Sequence, residues 1–252
     1  MKKLFLAFFL LFCFGTTAVA SQFADIGFVI DQSGSMGGEF SWLKNSISGI
    51  GTEVSAKGIT ATYGVAGYEM YAGNQSSAPS YSVWQDLSSN ISDTVNAVTG
   101  VRTYGGTERG YQALDWATDN FSWSGGNFAK VMVLITDEPN NYRDSYSYGG
   151  LSGEAALAKK MSDNNILLNV ITETNYYQYW NDAVFKNMAT SYAGLFDLSY
   201  LRTDPTNFTK DFTSAKLSEI IIVHPVVPEP STWVLLGIGL VGLAFYRRKK
   251  AC

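Results

Sequence analysis

Three oxygen-bearing side chains stand at alternate positions just after the first apolar run of the domain: Asp31, Ser33 and Ser35. The run that precedes them, residues 26–30, has the composition of a short β-strand. In a tight turn, alternate side chains can point to one side, so these three oxygens can face one point. Carboxylate and hydroxyl oxygens, with no histidine or cysteine among them, suit a hard divalent cation such as Mg²⁺.

Two later segments carry oxygen donors that can join them. The apolar run at residues 131–135 is typical of a parallel strand covered on both faces, and Asp137 follows its end. Thr107 follows a pair of glycines and precedes a predicted helix. In an open α/β sheet, ligands bind beyond the carboxyl ends of the strands, where the strand order reverses. We therefore expect five side chains from three loops to converge: Asp31, Ser33, Ser35, Thr107 and Asp137.

Each part of this set also has a simpler interpretation. An aspartate and two serines before a helix are typical of turns and helix N-caps, because short polar side chains accept hydrogen bonds from backbone N–H groups. Thr107 by itself is equally typical of a helix cap, and Asp137 of a loop. The order of the parts and their corresponding positions in the predicted sheet favour the metal site over these separate explanations.

The elements that would position this site alternate along residues 23–218. Period-two and continuous apolar runs predict strands, and apolar residues at spacings of three and four predict helices. The predicted strands lie at residues 26–30, 60–68, 81–87, 131–135, 167–171 and 195–200, and the helices around residues 43–54, 91–98, 114–121, 155–161, 183–189 and 208–215. This alternation predicts a doubly wound α/β fold: a mostly parallel central sheet with one antiparallel edge strand and helices on both faces. Whether residues 219–227 add an edge strand is left open.

The N-terminus has the pattern of a secretory signal peptide. Two lysines precede a short apolar run, and small residues follow it up to Ala20. The run is shorter than the roughly 20 residues that a membrane-spanning helix needs. We expect residues 1–20 to be removed, which leaves residues 21–218 as the folded domain.

The C-terminus combines prolines, an apolar stretch and a basic end. Residues 219–230 are expected to form a proline-rich linker, since proline disfavours helix. The apolar residues 233–246 would span about 21 Å as a helix, against about 30 Å of hydrocarbon, so they form a marginal transmembrane helix. The basic residues 247–250 would hold its end in the cytoplasm and leave the domain outside.

Charge and cysteine usage exclude several partners and bonds. Residues 21–230 hold all 22 acidic residues but only 12 of the 18 basic ones, so this part of the chain has a net charge near −10. Such a domain is a poor binder of nucleic acid, since phosphate contacts need clustered lysine and arginine. The two cysteines, Cys13 and Cys252, lie in the terminal segments, so no disulfide supports the domain.

The five predicted metal ligands resemble the metal-ion-dependent adhesion site of von Willebrand factor type A domains, and the resemblance covers nearly all of residues 23–218. It implies that Ser33, Ser35 and Thr107 contact the ion, and that Asp31 and Asp137 act directly or through water. In that family the open coordination position takes a carboxylate from a partner. The resemblance therefore implies a Mg²⁺-dependent binding protein, with Mn²⁺ or Ca²⁺ as alternative ions. Glu138 stands where the family often has glycine, which leaves its role open.

The C-terminal segment resembles the PEP-CTERM sorting signals of Gram-negative bacteria. Pro228, Glu229 and Pro230, the short apolar helix and the basic end occur in the order of that family, over residues 227–252. The resemblance implies transient anchoring in the inner membrane and processing by an exosortase-type membrane protease. The protein would then reach the cell surface or the extracellular medium. The simpler alternative is a plain C-terminal anchor that is retained.

Tyrosines concentrate in the loops predicted to surround the site. Tyrosine offers rigid contact area with a polar tip, which binding surfaces often use. We expect a recognition surface for a protein or glycan partner that offers a carboxylate; the alternative is that the rings only cover the rim. The candidate residues are Tyr71, Tyr142, Tyr146, Tyr148, Tyr176, Tyr177 and Tyr179.

Catalysis is not expected. The chain has no cysteine nucleophile in its predicted domain, no nucleophile elbow and no phosphate-binding P-loop, and its one histidine, His224, lies in the predicted linker. The sequence thus favours an exported adhesion protein. The alternatives are a structural component of an extracellular matrix or biofilm, whose ion only orders the loops, and a metal-dependent hydrolase.

Overall fold

The computed structural model describes residues 22–69, 80–99, 103, 108–141, 145–185 and 194–223. All of them belong to one compact unit, Gln22–His224. The strands are β1 (Gln22–Asp31), β2 (Ile59–Glu69), β3 (Ser80–Ser88), β4 (Phe128–Ile135), β5 (Ser147–Tyr148), β6 (Leu151–Ser152), β7 (Ile166–Thr172) and β8 (Leu195–Asp197). The helices are α1 (Gly37–Ala56), α2 (Ile91–Thr99), α3 (Gly110–Asn120), α4 (Gly153–Asp163), α5 (Asn181–Phe185), α6 (Leu198–Thr203) and α7 (Pro205–Val223).

Six of these strands form the central sheet, in the order β3-β2-β1-β4-β7-β8. All neighbours pair in parallel except β2 and β3, which pair antiparallel at one edge. The predicted fold class is therefore confirmed. The chain leaves β1 for β2 on one side and later returns to β4 on the other, so the strand order reverses between β1 and β4. That is the position where open α/β sheets bind ligands.

The register aligns the carboxyl ends of the two central strands. Ile30 of β1 pairs with Ile135 of β4, which in turn pairs with Ile171 of β7. The next residues along these strands, Asp31 and Thr136, therefore emerge side by side at one edge of the sheet.

The helices cover the two faces of the sheet. Gly64 of β2 lies under Phe121, which follows α3, whereas the neighbouring Tyr63 faces Gly51 of α1. Helix α1 packs against α2 and α7, and α4 packs against α3 and α5. Strand β4 shows why the sheet lies at the centre of the core: Val131 and the four residues that follow it are fully buried. Continuous apolar runs are typical of parallel strands buried on both faces.

The last part of the domain differs from the sequence-based expectation. The sequence predicts a strand to residue 200, but strand β8 ends at Asp197, because Asp197 accepts a hydrogen bond from the backbone N–H of Ser199 and caps α6. Helix α7 continues to Val223, so residues 219–223 are helical although the prediction placed them in the linker. Asp204 caps α7 by accepting from the N–H of Asn207, with proline at the first helical position.

None of the helices in the described ranges is long and apolar enough to cross a membrane. The predicted membrane span, residues 233–246, lies outside those ranges, as do the signal peptide and the predicted sorting motif.

Candidate metal centre at the carboxyl edge of the sheet

Asp31, the last residue of β1, is held in place from both sides. Its Oδ1 accepts a hydrogen bond from the backbone N–H of Ser33 at 2.8 Å, and its Oδ2 accepts from the hydroxyl of Thr136 at 3.0 Å. Its side chain is 2 % exposed. The two hydrogen bonds fix the carboxylate at the strand-order reversal between β1 and β4.

The hydroxyl groups of Ser33 and Ser35 face each other, with 3.2 Å between their Oγ atoms. Ser33 precedes a 3-10 turn, Gly34–Met36, and Met36 precedes α1; neither position makes a side-chain capping hydrogen bond. Helix capping therefore does not account for the two hydroxyls. Ser33 is buried and Ser35 is exposed, so the pair lies where the interior of the domain meets solvent.

Asp137 leaves one carboxylate oxygen available beside Thr136. Its Oδ2 pairs with Arg202, whereas its Oδ1 is buried and accepts no hydrogen bond from any residue within the described ranges. A buried acceptor without a donor is costly, so such an atom indicates that a ligand or water satisfies it.

Glu108 is tied to the loop that contains Asp137, whereas Thr107, the residue before it, lies outside the described residues. Asn141 donates its backbone N–H to the carbonyl of Glu108 at 2.8 Å and its side-chain amide to Oε2 of Glu108 at 2.9 Å. Asn140 accepts from the N–H of Tyr111 at 2.8 Å. The residue after Thr107 is thus fixed against the loop that contains Asp137. Sequence reasoning missed Glu108 as a member of this cluster.

Negative charge accumulates at this edge. Burial raises the pKa of Asp31 to about 7, and the charges of Glu108 and Asp137 add to the rise against the two hydrogen bonds described above. Burial followed by the charges of Glu138 and Asp137 raises the pKa of Glu108. Burial and the charge of Asp137 likewise raise the pKa of Glu138. Mutual repulsion of this kind is relieved by a bound cation.

Arg202 of α6 is an unexpected member of the site. Its guanidinium group contacts three carboxylates: Nε lies 2.5 Å from Glu39, Nη2 lies 2.9 Å from Asp137, and Nη1 lies 3.2 Å from Glu173. Glu39 is 1 % exposed and lies in the first turn of α1. One arginine therefore connects α1, the Asp137 loop and the loop after β7. Nothing in the local sequence around residue 202 indicates this role, because all three partners are distant along the chain.

The oxygen donors at this edge can hold a hard cation only if serine hydroxyls act as ligands together with carboxylates. Among the residues that the structure describes, no three histidine, cysteine, aspartate or glutamate side chains are grouped so as to hold a metal ion. The convergent Ser33 and Ser35 hydroxyls and the free Oδ1 of Asp137 would have to complete such a site. Oxygen donors of this mixed kind fit Mg²⁺.

Three of the predicted recognition tyrosines lie in the loop after β7, beside this edge. Tyr176, Tyr177 and Tyr179 belong to the 3-10 segment Thr174–Tyr179, which follows directly on Glu173, the partner of Arg202. All three are partly exposed, and the rings of Tyr176 and Tyr179 lie 6.4 Å apart. Burial raises the pKa of Tyr177 to about 12, with a further rise from the charge of Asp197.

Two other predicted recognition tyrosines contact side chains of helices α3 and α4. Tyr146 is 5 % exposed and its hydroxyl donates to Asp115 of α3 at 3.2 Å, so it belongs to the core. Lys160 belongs to the last turn of α4, and its Nζ lies 5.0 Å from the centroid of the Tyr148 ring. The β5–β6 hairpin, which the sequence did not predict, folds this segment down along α4. Tyr71 and Tyr142 lie outside the described residues.

The fold and this edge define a class of α/β domain that binds ligands at the carboxyl ends of its strands. Residues 25–194 match the model of the von Willebrand factor type A domain family, and residues 226–250 match the PEP-CTERM protein-sorting motif. The first match covers more than half of the chain, so the protein belongs to the von Willebrand factor type A domain family. A comparison with curated proteins found no match.

The two matches carry coarse functional information. Domains of this family are in general binding or adhesion modules, and their presence indicates a protein ligand. The sorting motif indicates an exported protein that is processed by an exosortase and sorted to the cell envelope or surface.

Proposed function

We propose that this protein is an exported adhesion protein that binds its partner through a divalent cation. Asp31, Ser33, Ser35, Thr107 and Asp137 would hold the ion. The observation that carries the proposal is the buried Asp31 carboxylate at the strand-order reversal, followed two and four residues later by two hydroxyls that lie 3.2 Å apart and cap no helix. The accumulated negative charge around it supports a cation at this position.

The neighbouring residues of the chain would keep these ligands in place. Thr136 and the N–H of Ser33 orient the two oxygens of Asp31, and Arg202 holds Oδ2 of Asp137. Within the described residues no donor contacts the remaining oxygen of Asp137, which would leave it available to the ion. A Mg²⁺ ion in such a site supplies an open coordination position that attracts a carboxylate oxygen. Mn²⁺ and Ca²⁺ suit the same donors.

The partner would be a protein that offers an aspartate or glutamate, and the tyrosines after β7 would contact the surface around that carboxylate. The net charge of the domain opposes acidic partners at long range. Screening limits that repulsion to about 8 Å at physiological salt. At short range the attraction between the ion and the carboxylate of the partner therefore determines whether the contact forms. A glycan with a carboxylate group is the alternative partner class.

The proposal can be tested by recovery of a partner from cell-surface material. The wild-type protein should retain a partner in Mg²⁺ and release it in EDTA, whereas Asp31→Ala should retain none under either condition. Protease treatment of the material should remove the partner and periodate should not; the reverse result identifies a glycan. Binding that survives both EDTA and Asp31→Ala would contradict the proposal and favour a matrix component whose ion only orders loops.

The tail is a second part of the proposal. We propose that an exosortase cleaves near Pro228, Glu229 and Pro230, so that the protein is only transiently anchored in the inner membrane and then reaches the cell surface or the medium. Mass spectrometry of the C-terminal peptide would test this. Recovery of residues 233–252 on protein taken from the cell exterior would contradict it.

A further inference from the structure

A lysine, a glutamate and an asparagine meet inside the domain, on side chains that the metal site does not use. Lys216 and Glu219 lie one turn apart on α7, and Asn169 lies in the middle of β7. Their exposures are 1 %, 3 % and 0 %. Nζ of Lys216 lies 2.7 Å from both carboxylate oxygens of Glu219 and also contacts Oδ1 of Asn169.

The surroundings of these three groups are apolar and aromatic. Nζ of Lys216 lies 4.7 Å from the ring centroid of Phe196 and 5.4 Å from that of Phe212. Burial lowers the pKa of Lys216 to about 8, against the opposing effect of Glu219, and burial raises the pKa of Glu219. Both changes favour the uncharged pair, which is a free amine beside a protonated carboxyl group.

This arrangement combines the three groups that amide exchange requires. A desolvated lysine amine is a nucleophile, the side-chain amide of Asn169 is a carbonyl electrophile, and a carboxyl group in contact with the amine can move protons. The amide NH₂ of Asn169 donates to the carbonyl of Leu167 at 3.3 Å, which orients the amide group within β7. Fixed proximity of this kind can replace a large part of the entropic barrier of a reaction between two side chains.

We propose that Lys216 and Asn169 form an intramolecular isopeptide bond, with Glu219 as the catalytic acid and base. The product would be a covalent cross-link between α7 and the central sheet.

The reaction needs no oxidant and no external reactant. Nζ of Lys216 forms a bond to Cγ of Asn169 while Glu219 donates its proton to Oδ1. The resulting carboxylate removes a proton from Nζ and delivers it to Nδ2. The bond between Cγ and Nδ2 then breaks, ammonia leaves, and the hydroxyl at Oδ1 returns its proton to Glu219. The carbonyl re-forms as an amide between the two side chains, so that Glu219 is regenerated and one ammonia molecule is lost.

The position of the bond gives it a mechanical consequence. Helix α7 is the last described element before the sorting motif at residues 226–250. Any force applied through the C-terminal end of the chain must pass along this helix. A covalent link from α7 to β7 would transfer that force to the hydrogen-bonded core of the sheet. Both cysteines lie outside the matched domain, at residues 13 and 252, so no disulfide can do this.

Peptide mapping of the denatured wild-type protein tests the proposal directly. Trypsin should release residues 161–186, which contain Asn169, and residues 211–216, which end at Lys216. With the isopeptide bond present, trypsin cannot cleave after Lys216. Residues 161–186 should then appear joined to a longer peptide that starts at residue 211, at the summed mass less one ammonia. Recovery of unmodified 211–216 as the only product would overturn the proposal.

Two variants assign the roles of the side chains. Glu219→Gln keeps the size of the side chain but cannot exchange the protons, so its map should show separate, unmodified peptides. Complete cross-linking in this variant would overturn the role of Glu219. Lys216→Arg keeps the charge and cannot form the bond. Its denatured form should migrate more slowly in gel electrophoresis than the compact, cross-linked wild type, and equal migration would count against the bond.

Discussion

The guanidinium group of Arg202 lies 2.9 Å from Oδ2 of Asp137 and joins one proposed metal ligand to a helix far along the chain. The same group pairs with Glu39, which is buried, and with Glu173. Arg202 thus supplies a fixed positive charge at an edge that otherwise concentrates carboxylates. The proposed cation and this arginine act on the same negative charge.

Replacement of Arg202 by glutamine should separate the effect of the arginine on stability from its effect on the affinity for Mg²⁺. The metal-free variant should lose about 3 kcal/mol of stability, because Glu39 is left as a buried charge without its partner. Its affinity for Mg²⁺ should increase at least threefold, since the carboxylates lose a competing positive charge. Chemical denaturation in EDTA and calorimetric titration with Mg²⁺ would measure the two quantities.

Arg202→Lys is the matched control, because it keeps the charge but cannot contact three carboxylates at once. It should give a Mg²⁺ affinity close to that of the wild type with an intermediate loss of stability. A weaker Mg²⁺ affinity in Arg202→Gln than in the wild type would mean that the arginine supports the ion rather than competes with it.

The pH dependence of stability should reveal the buried Asp31 carboxyl. Its folded-state pKa of about 7 is above the value of 3.8 expected for an exposed aspartate. The folded state therefore binds a proton more readily, so acidification from about pH 8 to about pH 5 should stabilise the metal-free protein through this group. Over this range the effect is on the order of 3 kcal/mol, and the full effect of about 4 kcal/mol is reached only near pH 3, below the pKa of the unfolded aspartate. Saturating Mg²⁺ should reduce this trend, since the cation and the proton compete for the same carboxylate.

Thermal unfolding in EDTA across this pH range would measure the effect, with Asp31→Asn as the comparison. The amide cannot titrate, so the difference between the two curves isolates Asp31 from the other carboxyl groups. Parallel curves for the two proteins would show that Asp31 ionises normally in the fold.

The tyrosines after β7 should contribute to partner binding. Tyr176→Ser and Tyr177→Ser together should weaken binding about tenfold, because aromatic residues near the centre of an interface often carry much of its energy. Mg²⁺ affinity should not change. Tyr148→Ser is a matched control, since that ring lies on the flank of α4 beside Lys160. An equal loss of partner affinity in the control and the double variant would remove the tyrosines after β7 from the binding surface.

Gly67 of β2 is required for close packing beside the site. A Cβ atom at this position would lie 1.8 Å from the ring of Trp84 and 2.5 Å from Oε1 of Gln32, which follows Asp31. Gly67→Ala should therefore lower stability by about 1–3 kcal/mol, as overpacking usually does. Gly49→Ala is the control, because its Cβ would meet nothing within 4 Å on the exposed face of α1. Helix propensity predicts that this control gains up to about 1 kcal/mol. Urea denaturation would compare the two.

The architecture could be predicted from the sequence because its central elements have strong and distinct patterns. The continuous apolar run of β4 predicts a strand buried on both faces, and Leu43, Ile47, Ile50 and Val54 predict the buried side of α1. The end of the domain was harder, because β8 has only three residues and an aspartate cap decides where it stops. The β5–β6 hairpin has two residues in each strand, which is too short for any periodic signal.

The candidate site likewise contains residues that the sequence predicts and residues that only the structure shows. Asp31, Ser33 and Ser35 lie within five residues of one another, so their alternate spacing can be recognised from the sequence alone. Arg202 and Glu108 could not be found in this way, because their partners come from loops distant in the sequence. The contacts of Tyr146 with Asp115 and of Tyr148 with Lys160 could not be predicted for a related reason: the sequence gives no measure of how far a loop folds back along a helix.

Calorimetric titration of the metal-free protein with Mg²⁺ tests the central claim most directly. The wild type should bind one ion, and Asp31→Asn should bind none, whereas Asp163→Asn, which alters an exposed acid paired with Lys159, should bind as the wild type does. Absence of Mg²⁺ and Mn²⁺ binding by the folded wild-type protein, or equal binding by Asp31→Asn, would contradict the account.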